Sequence, residues 1–280
     1  MHSDGVDEVS GMHSTNSHSQ GDARDPQREA NDRLWARRSL VTSYAHRVLR
    51  PVEVMILVRY REGLSGRVLE LGCGAGRFTG YLAEIAHTTH GIDISPEMLA
   101  YCRRRYPRAT FSQADLRDVA RIEPGSYDAV VAIDQVLDVL DDDDRSRVLD
   151  GIHEVLPTDG LLVLSAHNLA YASHLADPLK LRGMGPGRAM LTLARWPRWQ
   201  VNRRRLRRFE RAEPGYSILN DISHDYMALH YYIGRDAQQS QLAAHGFELL
   251  EVLDPDGRVV ERGDDPPDAP WLHYLARRRA

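Results

Sequence analysis

The sequence is poor in cysteine and contains no long apolar run. Only Cys73 and Cys102 occur among 280 residues, which excludes a disulfide framework and a zinc site built from cysteines. The longest apolar stretches, such as Ala129–Ile133 and Leu161–Leu164, are as long as a strand. A membrane-crossing helix needs roughly 20 apolar residues. We therefore predict a cytoplasmic protein with reduced cysteines and no membrane-spanning helix.

The N-terminal region lacks both the apolar core of a signal peptide and the apolar residues of a folded segment. Residues 1–30 are rich in Ser, Asp, Gly, His and Gln, and six of the thirty are apolar. Such a composition buries too little surface to offset the entropy cost of ordering the chain. We predict a disordered tail over residues 1–30 and one domain over residues 31–280.

From about residue 67 the chain alternates between apolar runs of strand length and amphipathic segments of helix length. Strands are predicted at Arg67–Leu71, Thr88–Ile92, Thr110–Ser112, Tyr127–Ile133 and Leu161–Ala166. Helices are predicted at Arg77–Ala86, Pro96–Tyr106 and Asp144–Leu156, the last with Arg145 and Arg147 facing outward. Continuous apolar strands that alternate with helices are typical of a parallel sheet covered on both faces. A helix at Arg235–Gly246 and strands at Phe247–Leu253 and Trp271–Ala276 then complete the sheet with an antiparallel pair.

The most informative segment is the glycine loop after the first strand, Glu70-Leu71-Gly72-Cys73-Gly74-Ala75-Gly76. Gly72 permits a tight turn, while Gly74 and Gly76 let a ligand approach the backbone closely. Dinucleotide-binding folds use the spacing G-x-G-x-x-G, and here the third glycine comes one residue early. The G-x-G-x-G spacing after Glu70 suits a ligand that carries an ammonium group and no phosphate.

Acidic or amide side chains also follow the next three strands. Asp93 ends the second strand, where a carboxylate accepts hydrogen bonds from ribose hydroxyls. Asp115 follows the third strand and could accept from an adenine amino group. Asp134 and Gln135 follow the fourth. All of these groups are expected at the carboxyl edge of the sheet, where ligands bind in such folds.

In four of its motifs the sequence resembles the class I S-adenosylmethionine-dependent methyltransferases. They are ELGCGAG (70–76), GIDISPEML (91–99), ADL (114–116) and YDAVVAIDQVLDVL (127–140). The resemblance implies a Rossmann-like α/β fold with a seven-stranded sheet, helices on both faces, and S-adenosylmethionine as the cofactor. It also implies cofactor contacts for ten residues. The three glycines line the methionine portion, Asp93 holds the ribose, Asp115 and Leu116 flank the adenine, and Asp134 and Gln135 lie near the sulfonium, while Glu70 and Ile94 are further cofactor-binding residues. The residues implied are Glu70, Gly72, Gly74, Gly76, Asp93, Ile94, Asp115, Leu116, Asp134 and Gln135.

An insertion after the fifth strand, residues 168–234, is predicted to be helical and to form the acceptor side. His167, His224 and His230 stand among Asp, Asn and Tyr residues, and a neutral imidazole can take a hydroxyl proton near pH 7. The three histidines are therefore candidate general bases, and no metal site is predicted. The segments SAHN, NDISHDY, HYYI and PWLHYLARR resemble bacterial small-molecule methyltransferases, including those that methylate a sugar hydroxyl on a glycosylated cofactor such as mycofactocin.

The insertion also carries a basic segment. Residues 180–211 hold eleven basic residues and one acidic residue, Glu210, although the whole chain has a net charge of only −4. Such a segment can contact an anionic membrane, phosphates or RNA, or can form a solvated lid over the site that hinges at residues 183–187.

These patterns together predict methyl transfer to a hydroxyl of a small polar acceptor, such as a glycosylated or anionic molecule. Two alternatives stay open at this stage. One is an RNA-modifying or RNA-binding protein that uses the arginine-rich segment, and the other is a nicotinamide-dependent oxidoreductase.

Overall fold

The computed structural model describes residues 26–35, 44–122, 127–176 and 186–280. Most of the predicted tail, residues 1–25, lies outside this part of the chain. Helix α1 (Pro26–Trp35) begins inside the range predicted for the tail. Its buried Gln27 donates a hydrogen bond to the carbonyl oxygen of Leu140 at 2.9 Å. The composition of residues 1–30 does not reveal this distant partner, so the predicted boundary comes too late.

The core of the molecule is the predicted parallel sheet. Its strands are β1 (Arg67–Leu71), β2 (Thr88–Asp93), β3 (Thr110–Gln113), β4 (Ala129–Ala132) and β5 (Leu161–Asn168). They lie in the order β3-β2-β1-β4-β5, all parallel. Four helices accompany these strands. α2 (Pro51–Arg59) precedes β1, α3 (Thr79–Ile85) follows β1, α4 (Pro96–Arg105) follows β2, and α5 (Asp142–Val155) follows β4. Ser95 caps α4, because its hydroxyl accepts from the backbone N–H of Met98.

Two C-terminal strands complete this sheet. β10 (Trp271–Arg278) runs antiparallel to β5 on one side and to β9 (Phe247–Leu253) on the other. Helix α7 (Arg235–Ala244) precedes them. The order β3-β2-β1-β4-β5-β10-β9 confirms the predicted seven-stranded α/β sheet. Buried apolar side chains fill both faces, with Val148, Leu149 and Leu242 in one cluster and Val52 and Ile56 in the other.

The insertion after β5 contains strands as well as a helix. Helix α6 (Pro186–Leu206) is followed by β6 (Arg211–Glu213), β7 (Tyr216–Leu219) and β8 (His230–Ile233), which form an antiparallel meander. β8 pairs in parallel with the C-terminal end of β5. There His167 of β5 pairs with Trp271 of β10 on one side and with Tyr232 of β8 on the other. β4 and the meander therefore pair with the same edge of β5, β4 with residues 161–164 and β8 with residues 167–168. The predicted hinge at residues 183–187 lies mainly outside the described residues, and Pro186 and Gly187 begin α6.

Arg145 lies inside the protein rather than on the outer face of its helix. Its guanidinium is fully buried, 2.7 Å from the carboxylate of Asp138, and it donates to the side-chain oxygens of Gln238 and Gln241 at 2.6 and 3.0 Å. The prediction that Arg145 faces outward is wrong because α7 packs against that face of α5. Arg147 is exposed, as predicted.

Within the described residues, the structure contains no helix that is long and apolar enough to cross a membrane.

Candidate cofactor and acceptor site

A cavity opens at the carboxyl edge of the parallel strands, next to the point where the strand order reverses between β1 and β4. The loops that follow β1, β2, β3 and β4 all contribute to its wall. Nine of the ten residues predicted for the cofactor line it: Glu70, Gly72, Gly74, Asp93, Ile94, Asp115, Leu116, Asp134 and Gln135. Strand alternation and strand-end positions therefore bring together residues that are far apart in sequence.

The glycines of the loop have different structural roles. Gly72 and Gly74 both adopt positive φ angles, 61° and 52°. A Cβ on Gly72 would lie 2.1 Å from a methyl carbon of Val136, whereas no described atom would lie within 4 Å of a Cβ on Gly74. Gly76 lies away from the cavity wall, where a Cβ would meet the ring of Tyr106 at 2.6 Å. Gly76 is therefore needed for packing, and its predicted place beside the ligand is not where the structure puts it.

Glu70 is a buried carboxyl group beneath this loop. The hydroxyl of Thr79 donates a short hydrogen bond to it. Burial raises the pKa of Glu70 to about 8, although the bond from Thr79 and the charge of Arg77 oppose the shift. Without a ligand, the group is therefore mostly protonated at neutral pH, and a nearby cation would favour its ionisation.

Asp93 is held by backbone groups on both sides of its carboxylate. One oxygen accepts from the N–H of Gly74 at 2.8 Å and the other from the N–H of Ser95 at 2.8 Å. Burial raises the pKa of Asp93 despite these two hydrogen bonds. Each oxygen keeps further accepting capacity toward the cavity, because a carboxylate can accept about four hydrogen bonds.

Asp134 and Gln135 follow β4 in an unusual backbone conformation. Both have positive φ angles, 61° and 58°, in the left-handed region that non-glycine residues seldom adopt. Such strain concentrates at functional sites. The backbone N–H of Gln135 donates to the hydroxyl of Ser165 at 2.9 Å, which helps to hold the turn.

A cluster of arginines holds the carboxylate of Asp134. Arg50 donates to it at 2.5 Å, Arg47 at 3.0 Å, and the guanidinium of Arg77 lies 3.9 Å away. Burial alone would raise the pKa of Asp134, but these charges outweigh burial and lower it. Arg77 also pairs with the buried Glu53. This cluster was not predicted from the sequence, in which its one signal is that Arg77 stands where a dinucleotide fingerprint has glycine.

Asp115 lines the cavity while serving as a helix cap. It precedes the 3-10 helix Leu116–Arg121, accepts from the backbone N–H of Arg117 at 3.0 Å and pairs with its guanidinium at 2.7 Å. Ile94 and Leu116 line the cavity nearby and supply apolar surface.

The N-terminal helix closes another part of the wall, which the sequence analysis did not predict. Asn31 of α1 lines the cavity, and its amide nitrogen donates to the carbonyl oxygens of Val139 at 2.7 Å and Leu229 at 3.0 Å. Its partners are about 110 and 200 residues away in sequence, so no local pattern could have indicated them.

The three predicted histidines lie together, and none of them lines the cavity. The 3-10 helix Val136–Val139 lies next to His167: Val136 and Val139 line the cavity, while Asp138 contacts His167. The ring centroids of His167 and His230 are 5.3 Å apart, and those of His224 and His230 are 6.3 Å apart.

Two of these histidines are paired with aspartates. Nδ1 of His167 lies 2.8 Å from the buried carboxylate of Asp138, which also accepts from the backbone N–H of His167. Nδ1 of His230 lies 3.0 Å from the carboxylate of Asp221. Burial lowers the pKa of His230, but the charge of Asp221 and the hydrogen bond to it outweigh burial and raise the pKa.

Of the three histidines, His224 is the one whose surroundings favour the neutral ring. Burial, with the repulsion from His230, lowers its pKa to about 4, so it is neutral at pH 7. It lies on a 3-10 turn (Ser223–Tyr226) in which His224, Asp225 and Tyr226 all have positive φ angles. The described groups do not include three metal-ligating side chains arranged to hold an ion.

Comparison with known proteins agrees with this geometry. Residues 68–160 match the family described as "Methyltransferase domain". The chain is 32% identical over 108 residues to YqeM of Bacillus subtilis, covering 37% of this chain and 43% of that protein. It is 28% identical over 125 residues to the ubiquinone biosynthesis O-methyltransferase of Xanthomonas euvesicatoria, covering 43% of this chain and 51% of the relative. Matches over shorter segments include amino-sugar N,N-dimethyltransferases and 18S rRNA (guanine-N(7))-methyltransferases.

The chain spans about half or less of the length of these relatives. Among solved structures, the fold resembles 1,6-didemethyltoxoflavin-N1-methyltransferase of Burkholderia thailandensis, solved with S-adenosylhomocysteine. The TM-score is 0.57 at 16% identity, and the alignment covers 90% of this chain and 88% of the other. Residues 68–160 thus match a methyltransferase domain, and the fold of the chain resembles that of solved S-adenosylmethionine-dependent methyltransferases.

Proposed function

We propose that the chain transfers a methyl group from S-adenosylmethionine to a hydroxyl of a small polar acceptor, with sugars as the first candidates. The observation that carries the proposal is the single cavity on which the loops after β1, β2, β3 and β4 converge. The O-methyltransferase relative supports oxygen as the target atom. The names of other relatives specify nitrogen, so the choice of oxygen depends on the acceptor side of the site.

The residues of the cavity fit the proposed cofactor. Gly72 and Gly74 expose backbone beside the methionine portion, and Glu70 gains a cationic partner when an ammonium group binds nearby. Asp93 accepts from the ribose hydroxyls, while Ile94 and Leu116 pack against the adenine next to Asp115. Asp134 and Gln135 form the wall near the sulfonium. The cofactor supplies an electrophilic methyl group on its sulfur, and the chain orients the acceptor for in-line attack.

For the proton of the hydroxyl we favour His167 among the three histidines. His230 is buried and already paired with Asp221, and His224, with a pKa of about 4, is a weak base near pH 7. The side chain of His167 is 16% exposed, and the carboxylate of Asp138 lies 2.8 Å from its Nδ1, where it would stabilise the protonated ring. Nε2 would then be the ring atom that accepts the proton of the acceptor hydroxyl during methyl transfer.

This assignment sets a requirement on the acceptor. Because His167 does not line the cavity itself, the acceptor has to place its hydroxyl within reach of both the methyl group and Nε2 of His167.

Two variants separate cofactor binding from chemistry. Asp93→Ala removes the ribose partner and should weaken S-adenosylhomocysteine binding by about 1.5–3 kcal/mol, as measured by calorimetry. His167→Gln should leave that affinity unchanged and lower kcat by about 10²–10⁴-fold. The rate is measured with labelled cofactor and a panel of sugars, with product identified by mass spectrometry.

Asp118→Ala is the control, since Asp118 is a partly exposed aspartate that pairs with Arg121 and lies outside the cavity wall. Absence of calorimetric binding to the wild-type chain would contradict the methyltransferase proposal. Label that is recovered on nitrogen, with full activity in His167→Gln, would contradict the hydroxyl acceptor alone.

A further inference from the structure

Helix α6 exposes a stripe of apolar side chains that has no role in the proposed methyl transfer. Met190, Leu193 and Val201 are 71%, 53% and 67% exposed, and Ala194 and Pro197 are exposed as well. Met190, Ala194, Pro197 and Val201 recur at intervals of three or four residues, so they lie on one side of the helix. An exposed row of aliphatic side chains of this kind indicates a binding surface.

The opposite side of α6 is fixed to the protein. Trp199 and Leu206 are each 6% exposed. The indole N–H of Trp199 donates to the carboxylate of Asp225 at 2.8 Å, and the side chain of Asn202 donates to the backbone oxygen of Asp225 at 2.8 Å. These contacts leave the stripe facing outward, and they join α6 to the turn that carries His224.

Arginines flank the stripe on both sides. At 3.6 residues per turn, Arg198 and Arg205 lie along one flank and Arg204 along the other. All three are exposed, as are Arg207 and Arg208 just beyond the helix. Residues 186–206 contain no aspartate or glutamate, so the positive charge of this face is not balanced within the helix.

We propose that α6 binds the surface of an anionic lipid bilayer and lies in the plane of the interface. Its apolar stripe would enter the boundary between headgroups and acyl chains, and its arginines would contact the headgroup phosphates. RNA offers the same phosphates, but it would leave the aliphatic stripe in water. Since α6 is joined to the turn around His224, a bound helix brings the proposed acceptor side to the bilayer surface.

The test is sedimentation of the full chain with vesicles of phosphatidylcholine, with and without phosphatidylglycerol. We expect binding only when the anionic lipid is present. It should weaken as salt rises from about 0.1 M to about 1 M, which shortens the Debye length from about 10 Å to about 3 Å. Arg204→Gln with Arg205→Gln should weaken binding at least about tenfold, since each arginine near such a surface contributes roughly fivefold. Met190→Gln with Val201→Gln should weaken it by a similar factor.

Matched controls come from exposed positions elsewhere. Arg104→Gln with Arg105→Gln on α4 makes the same change in charge, and Val58→Gln on α2 changes a valine that is 74% exposed. Both controls should bind vesicles as the wild type does. Circular dichroism melts confirm that every variant is folded.

Three results would overturn the proposal. One is equal sedimentation with neutral and anionic vesicles. The second is RNA retardation that the arginine variant loses and the Met190/Val201 variant keeps, without vesicle binding. The third is a wild-type dimer that the Met190/Val201 variant converts to a monomer, again without vesicle binding, because the stripe would then cover a second copy. S-adenosylhomocysteine binding is measured separately, so failure here leaves the proposed methyl transfer standing.

Discussion

At the scale of single residues, the protonation of the Glu70 carboxyl group should be coupled to cofactor binding. Its pKa of about 8 means that the folded chain carries a proton there at pH 7. An ammonium group placed nearby stabilises the carboxylate and lowers this pKa, so cofactor binding should release up to one proton. Affinity should therefore rise with pH until the pH reaches about 8, where Glu70 is already ionised in the free chain.

Calorimetry checks this prediction. The heat of S-adenosylhomocysteine binding is compared at pH 7 in two buffers with different ionisation enthalpies, and the difference gives the number of protons released. The Glu70→Gln variant has no carboxyl proton at this position, so its heat of S-adenosylhomocysteine binding should differ less between the two buffers. A buffer-independent heat in the wild type would show that Glu70 does not change protonation on binding.

The residues that line the cavity were largely predictable, because parallel strands bring their carboxyl ends to one edge. A strand followed by glycines, and then by acidic residues after each later strand, is enough to assemble nine of the ten predicted residues. The motif could not separate a glycine that faces a ligand from one that packs under an aromatic ring, which is why Gly76 was misplaced. It also could not find Arg50 or Asn31, whose partners lie far away in sequence.

At the scale of elements, the strands of the parallel sheet were the easiest to predict. β4 and β5 contain continuous apolar runs, and the observed ends of β1, β2, β4 and β5 lie close to the predicted ones. The short strands β6, β7 and β8 were not predicted, because runs of three or four residues do not distinguish a strand from a helix or loop by periodicity. The inward position of Arg145 was also hidden, since its glutamine partners come from α7, more than 90 residues later.

That buried ion pair joins three elements and carries a stability prediction. Arg145 of α5 contacts Asp138 of the 3-10 helix Val136–Val139 and the glutamines of α7. Arg145→Met leaves the Asp138 carboxylate buried without its partner, which should lower the free energy of unfolding by about 3–5 kcal/mol. Arg147→Met, two residues away with a 60% exposed side chain, should change it by less than about 1 kcal/mol.

Urea denaturation measures both variants. Adding Asp138→Leu to Arg145→Met should recover part of the loss, because it removes the unpaired charge. Recovery should be incomplete, since Asp138 also accepts from the backbone N–H of His167. Equal stability of the Arg145 and Arg147 variants would mean that the pair contributes no more than a surface contact.

At the scale of the whole molecule, the small net charge is the sum of one strongly basic segment and an acidic remainder. Residues 180–211 carry eleven basic and one acidic residue, a charge of +10, so the other residues carry −14 to give the total of −4. The basic part includes the exposed arginines of α6 and those just beyond it. The carboxylates that line the cavity, Glu70, Asp93, Asp115 and Asp134, belong to the acidic part. Overall composition therefore underestimates how strongly one face can attract an anionic surface.

The dependence of stability on pH is a property of the whole chain to which buried histidines contribute. His273 of β10 is fully buried, and burial, with the positive charge of Arg50, lowers its pKa to about 3. Between this value and the ordinary pKa of about 6.5, the unfolded chain binds a proton at His273 that the folded chain does not. Its contribution to stability is therefore complete above pH 6.5 and is lost as the pH falls toward 3, by about 1.36 kcal/mol per pH unit.

His273→Leu should remove this slope, so the variant should gain stability relative to the wild type as the pH falls from 6.5 to 4. Glu70, with a raised pKa, has the opposite dependence between about 4.5 and 8, but both chains share Glu70 and its effect cancels in the difference. The exposed His87, changed to Gln, is the control and should leave the slope unchanged. Urea denaturation at each pH gives the free energies. Parallel curves for His273→Leu and the wild type would show that His273 takes up a proton equally in the folded and unfolded chain.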